Sequence, residues 1–313
     1  MDGDKVQSDP LWEHLGERLL GRAASLGLDA DQGRNLVDGC LPVARWLQEK
    51  LTGRQAPYLL GVNGAQGSGK TTFASLLQLI MQEGFGRRTV CLGIDDFYTT
   101  RRSRKALATA VHPLLKTRGV PGTHDMELAW SVVDGLMRGE NVSSPRFDKA
   151  LDDRSPESEW LNHAGPLDLV FFEGWCVGAN AQPDEDLEHP VNSLEESRDA
   201  DLVWRRYVNS AFQKGAYRKL YDRLDGLLML KVPDMDAVYR WRWQQEEQLR
   251  LRRGSLQGIM TRQQVREFIM HYERLTRYML KEMPKRADLV ITLDQHHRLV
   301  DFALSSQRKT KNI

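Results

Sequence analysis

Gly64-Ala65-Gln66-Gly67-Ser68-Gly69-Lys70-Thr71 has the residue types and spacing of a loop that closes around phosphate. Its glycines let the backbone turn tightly, so that successive N–H groups point at one anion. Lys70 can then reach the terminal phosphates, and the Thr71 hydroxyl can ligate magnesium. A helix begun at Lys70, with Thr72 in its first turn, adds its positive N-terminus to the same anion. At ordinary glycine and lysine usage a chain of this length would show the pattern by accident about once in a hundred. The carboxylates that could work beside such a loop are Asp95, Asp96 and Glu173, each following a short apolar run. Glu173 is placed to hold magnesium or its water, as the second acidic motif of phosphate-loop enzymes does. Asp95 and Asp96 would point into the same site, although position alone fits a helix cap or turn equally well.

The elements that must position these groups follow from periodicity. Leu59, Leu60 and Val62 form the apolar run of a central parallel strand, and Phe73, Leu76, Leu77 and Ile80 follow at helical spacing. Further strands are expected over 89–94, 167–173, 227–232 and 287–293. Separated by helical stretches, they imply an α/β fold of the phosphate-loop NTPase type, with a doubly wound, five-stranded parallel sheet and right-handed crossovers. In such sheets ligands bind beyond the carboxyl ends of the strands.

Residues 11–51 carry a helical pattern, and Pro57 marks a boundary. The expected organisation is a helical extension over 1–56 and a nucleotide-binding domain over 57–313. Residues 97–125 show little periodicity and are expected to be a loop, with Asp125 capping a helix over 126–137. A very charged helical lid is expected over about 234–283. Its second helix, 261–282, is opened by Thr261 with Gln264 three residues on.

The chain of 313 residues is 41% apolar, with a formal charge of +1 made of interspersed acids and bases. That balance points away from nucleic acid or an anionic membrane and toward a small charged substrate. Cys40, Cys91 and Cys176 show neither zinc spacing nor a disulfide framework and suit buried thiols in a reducing compartment. The polar start MDGDKVQSDP is unlike a signal peptide, and no apolar run has membrane-spanning length. A cytoplasmic protein is expected.

Together the phosphate loop, Asp95-Asp96-Phe97-Tyr98 and Glu173-Gly174-Trp175 resemble the uridine kinase, phosphoribulokinase and bacterial pantothenate kinase group. Residues 39–47 (GCLPVARWL), 118–125 (RGVPGTHD), 145–154 (PRFDKALDDR), 241–250 (WRWQQEEQLR) and 260–279 (MTRQQVREFIMHYERLTRYM) resemble the D-glycerate 3-kinase family, over nearly the whole chain. The resemblance implies ATP and Mg²⁺, D-glycerate as acceptor, and Asp95 as the base, with Asp96 and Tyr98 beside it. An acceptor carboxylate wants an arginine or lysine. Arg118, Lys116, His124 and Arg146 are the candidates, in falling order. Arg240, Arg242, Arg250 or Arg253 would supply lid cations, although a helix-surface arginine is more often simply solvated. A nucleoside or pantothenate kinase and an ATP-hydrolysing switch are the alternatives. The cationic 112–124 loop argues against the first, and Asp95 against the second.

Overall fold

A computed structural model describes residues 10–253 and 259–305. Among the described residues there are ten strands: β1 (Tyr58–Gly64), β2 (Thr89–Gly93), β3 (Val142–Ser144), β4 (Phe147–Asp148), β5 (Asp153–Arg154), β6 (Leu161–His163), β7 (Leu169–Gly174), β8 (Gly226–Lys231), β9 (Leu289–Leu293) and β10 (Leu299–Leu304). The main helices are α1 (Pro10–Ser25), α2 (Ala30–Leu51), α3 (Lys70–Leu79), α4 (Arg101–Ala110), α5 (Met126–Met137), α6 (Ser193–Arg198), α7 (Val203–Ser210), α8 (Ala216–Asp222), α9 (Met235–Arg253) and α10 (Arg262–Glu282).

The central sheet has the order β10-β9-β8-β1-β7-β2. The five expected strands pair in parallel, and a sixth, β10, closes one edge antiparallel to β9. Residues of alternating parity feed two cores. Leu60, Val62, Phe171, Leu228 and Leu230 pack under α1, α2, α3 and α9. Leu59, Val170, Phe172, Leu227 and Met229 pack under α5, α8 and α10. Burial on both faces is why these strands are near-continuous apolar runs, and each fully buried leucine adds about 1.5–3 kcal/mol. Leu19, Val37 and Leu47 of the N-terminal helices lie in the same core as Phe73 and Leu76 of α3.

The short two-stranded ribbons β3-β6 and β4-β5 add to the expected strands, and two further segments differ from expectation. The 97–125 stretch contains α4, capped by Thr100, whose side chain accepts from the Ser103 N–H. Arg104 is the only buried residue of α4, so the helix has no apolar stripe for periodicity to detect. Strand β10 escaped for a related reason: Val300, Asp301, Ala303 and Leu304 are exposed on an edge. The capping expectations hold, since Asp125 accepts from the Leu128 N–H and Thr261 forms its capping box with Gln264. Among the described residues no helix is long and apolar enough to cross a membrane. Cys40 and Cys176 are buried and Cys91 partly so, all as free thiols.

Candidate active site

Strand β1 runs into the glycine loop and α3 leaves it. Gly67 and Gly69 hold φ of 79° and 80°, a left-handed conformation that glycine adopts without strain. Gly67 also permits a close approach: a Cβ there would lie 2.9 Å from Trp241 Cβ and 3.2 Å from the Arg242 nitrogen. Helix α9 therefore lies directly on the loop. On that same side, His297 Nε2 sits 2.7 Å from the Gly67 carbonyl oxygen, its ring stacked on Trp241 with centroids 3.6 Å apart. Gly64, Ala65 and Ser68 are buried. Ser68 Oγ and Gln66 Oε1 are buried without a hydrogen-bond partner among the described residues, as groups waiting for a polar ligand are.

The three carboxylates converge on this loop. Strand β7 ends beside β1, and there Thr71 Oγ1 donates to Glu173 Oε1 at 2.8 Å. Burial pushes the Glu173 carboxyl above its usual range, against the opposing pull of Lys70. Asp95 and Asp96 sit in a 3₁₀ turn after β2, so neither caps an α-helix. Asp96 Oδ1 accepts from the Phe147 N–H at 3.3 Å, and burial raises its carboxyl. Asp95 receives the Tyr98 hydroxyl on Oδ1 and the Lys149 ammonium on Oδ2, each at 2.8 Å. Burial alone would raise Asp95, but Lys149 and then Lys70, with both hydrogen bonds, hold it well below the carboxylate range. These groups line one cavity of about 580 Å³ that also reaches Arg118 and Arg242.

Of the four groups expected to hold an acceptor's charge, Arg118 alone lines this cavity. It is ion-paired to Asp152, and its loop is anchored twice: Trp175 Nε1 donates to the Gly119 carbonyl at 2.8 Å, and the Tyr272 hydroxyl to the Arg118 carbonyl at 3.1 Å. Lys116 and Arg146 are exposed and outside the lining. His124 lies behind Tyr98, stacked on it with centroids 4.6 Å apart, its Nδ1 2.6 Å from the Tyr217 hydroxyl. Burial lowers its pKa to about 4. A neutral ring in the core offers no cation, which corrects that expectation. Among the lid arginines, Arg242 lines the cavity and pairs with Glu246. Arg240 bonds Gln295 and Arg250 is exposed, both outside the lining. The Arg253 side chain lies outside the described residues.

No family model matches the chain. It is 32% identical over 241 residues to an uncharacterized kinase, mug58, of Schizosaccharomyces pombe, covering 74% of this chain and 83% of that protein. It is also 27% identical over 294 residues to a chloroplastic D-glycerate 3-kinase of Arabidopsis thaliana, covering 85% of this chain and 59% of the plant protein. The chain belongs to the same family of ATP-dependent phosphate-loop kinases as mug58, and D-glycerate 3-kinase is among its relatives. A solved D-glycerate 3-kinase from Cryptococcus neoformans shares the fold, with a TM-score of 0.72 at 24% identity over 85% of this chain and 99% of that one.

As a member of this family the chain is an ATP-dependent kinase, and its site contains groups that sequence reasoning did not mark. Lys149 is one: it lies within PRFDKALDDR, yet a lysine in a charged connection gives no sign of facing Asp95. His297 is another, left-handed at φ 65° and set between the phosphate loop and Trp241. Gln245 and Gln248 of α9 and Phe268 and Tyr272 of α10 complete the wall. The helical period of α9 and α10 was legible, but not which turn faces the cavity.

Proposed function

We propose that the protein phosphorylates D-glycerate to 3-phospho-D-glycerate in the cytoplasm, by direct transfer of the ATP γ-phosphate. The observation that carries this reading is one cavity lined by Lys70, Asp95 and Arg118, with the Lys149 ammonium paired to the Asp95 carboxylate. Phosphoryl transfer to an alcohol needs a phosphate cradle, a carboxylate at the acceptor hydroxyl and cations on the transferring group. In the proposed arrangement Lys70 and the loop amides of 64–72 hold the phosphates, and Asp95 orients the hydroxyl and accepts its proton. Arg118 grips the acceptor carboxylate, and Arg242 closes over the phosphates from α9. A second cavity of about 660 Å³, on the Trp241 and His297 side of the phosphate loop, would receive the nucleoside.

Thr71 and Glu173 suit a magnesium ion. They are hard oxygen donors 2.8 Å apart, and no cluster of three or more His, Cys, Asp or Glu that could hold a metal occurs among the described residues. A site so sparse in protein ligands fits an ion that keeps water and phosphate oxygens. Thr71 and Glu173 would hold the ion, which would supply positive charge to offset the charge that develops during transfer.

ATP consumption measured against a panel of hydroxy acids, nucleosides and pantothenate tests the reading. The expected result is turnover with D-glycerate and formation of 3-phosphoglycerate. Turnover with a nucleoside or pantothenate instead reassigns the acceptor, and hydrolysis indifferent to every acceptor makes the protein a switch. Within the active enzyme, Arg118→Ala should raise KM for D-glycerate about 10- to 150-fold, the worth of a charge-assisted bond, and change KM for ATP little. Arg118→Lys should recover only part, since an ammonium lacks the planar two-point grip. If ATP binding weakens and glycerate binding does not, the loop is a phosphate lid.

A further inference from the structure

Both oxygens of Asp95 are occupied before any acceptor arrives, one by the Tyr98 hydroxyl and the other by Lys149. An incoming hydroxyl therefore reaches this carboxylate most readily if one partner leaves, and the two partners differ in freedom. Tyr98 is buried at 4% exposure, with its ring packed between His124 and Phe147. Lys149 has 62% of its side chain exposed, on a long flexible stem. An ion pair this open contributes little net stability and exchanges readily.

The turn that presents Lys149 is itself held firmly. Strands β4 and β5 pair as a short ribbon, and at its tip Asp148 Oδ1 accepts from the Ala150 and Leu151 N–H groups at 2.7 and 3.0 Å. Asp152, left-handed at φ 55°, is held by Arg118 and by Arg104, which bonds both its carbonyl and its carboxylate. Arg104 is fully buried. The backbone at Lys149 thus has a fixed base, and its ammonium a free end. Within its reach the ammonium can trade one carboxylate for another, but it finds no equivalent partner on a neutral molecule.

We propose that Lys149 senses the acceptor's charge: it leaves Asp95 for the acceptor's own carboxylate, so that anionic hydroxy acids, and not neutral polyols or amides, gain full access to Asp95. This rests on the reading of the protein as a hydroxy-acid kinase. It assigns specificity to an exchange of ion pairs, and adds to Arg118 a second cation that binds only when Asp95 is released.

The test compares D-glycerate with its neutral amide, D-glyceramide, in wild type, Lys149→Ala and Lys149→Arg. Lys149→Ala should lower kcat/KM for D-glycerate about 10- to 100-fold, chiefly through KM. In the same variant kcat/KM for D-glyceramide should hold or rise, because Asp95 is now unblocked. KM for ATP should stay within about twofold, and Lys149→Arg should keep much of the preference for the acid. A parallel fall for acid and amide makes Lys149 a structural brace and overturns the proposal. So does a glycerate KM unchanged by Lys149→Ala in an enzyme that uses glycerate. Wild type that turns over only neutral acceptors overturns the acceptor reading, and the sensor with it.

Discussion

Lys70→Ala is expected to reduce turnover by about a thousandfold or more while leaving the fold intact. Lys70 opens α3 at the cavity, half-exposed, and takes no part in either hydrophobic core. Its removal takes one cation from the phosphates during transfer. Such electrostatic stabilisation is worth several kcal/mol of barrier, each ~1.4 kcal/mol being tenfold in rate. The same charge pulls down both Asp95 and Glu173, so the variant should also leave these carboxyls more easily protonated. Steady-state turnover together with a thermal melt checks the expectation. Activity within about threefold of wild type, far less than one decade per ~1.4 kcal/mol would allow, would sink the assignment of the nucleotide site.

Asp95→Asn should lower kcat by about 10²- to 10⁴-fold, the usual worth of a positioned base, with much smaller changes in either KM. The amide is nearly isosteric and can still accept the Tyr98 hydroxyl bond, so geometry survives and charge is lost. Asp95 is ionised throughout the neutral range, because Lys149 and Lys70 outweigh the effect of burial. A carboxylate held that strongly is a weak base until Lys149 withdraws. Asp96→Asn should cost less, since Asp96 braces the Phe147 backbone rather than carrying the pair with Lys149. Should Asp96→Asn prove the more damaging for kcat, the two aspartates exchange roles.

The phosphate loop, the parallel strands and the caps at Asp125 and Thr261 were legible because each depends on residues a few positions apart. Gly67 and Gly69 determine their own backbone, the apolar run of β1 or β7 is a property of one strand, and a cap bonds three residues ahead. Helix α4 was not legible because its buried group is an arginine. The grouping of Asp95 with Glu173 followed from a general rule, that parallel strands end on one edge of the sheet.

The amino-acid sequence by itself determined that this chain cradles phosphate, that acids stand beside the cradle, and that cations are plentiful nearby. Which cations face the acids was settled by packing. Lys149 meets Asp95 from 54 residues away because buried Arg104 docks the ribbon tip, while Lys116, His124 and Arg146, equally plausible by type, turn to solvent or core. His297 reaches Gly67 across 230 residues. Contacts of that span depend on where whole elements come to rest, and a charged side chain carries no periodic pattern to announce which neighbour it will meet.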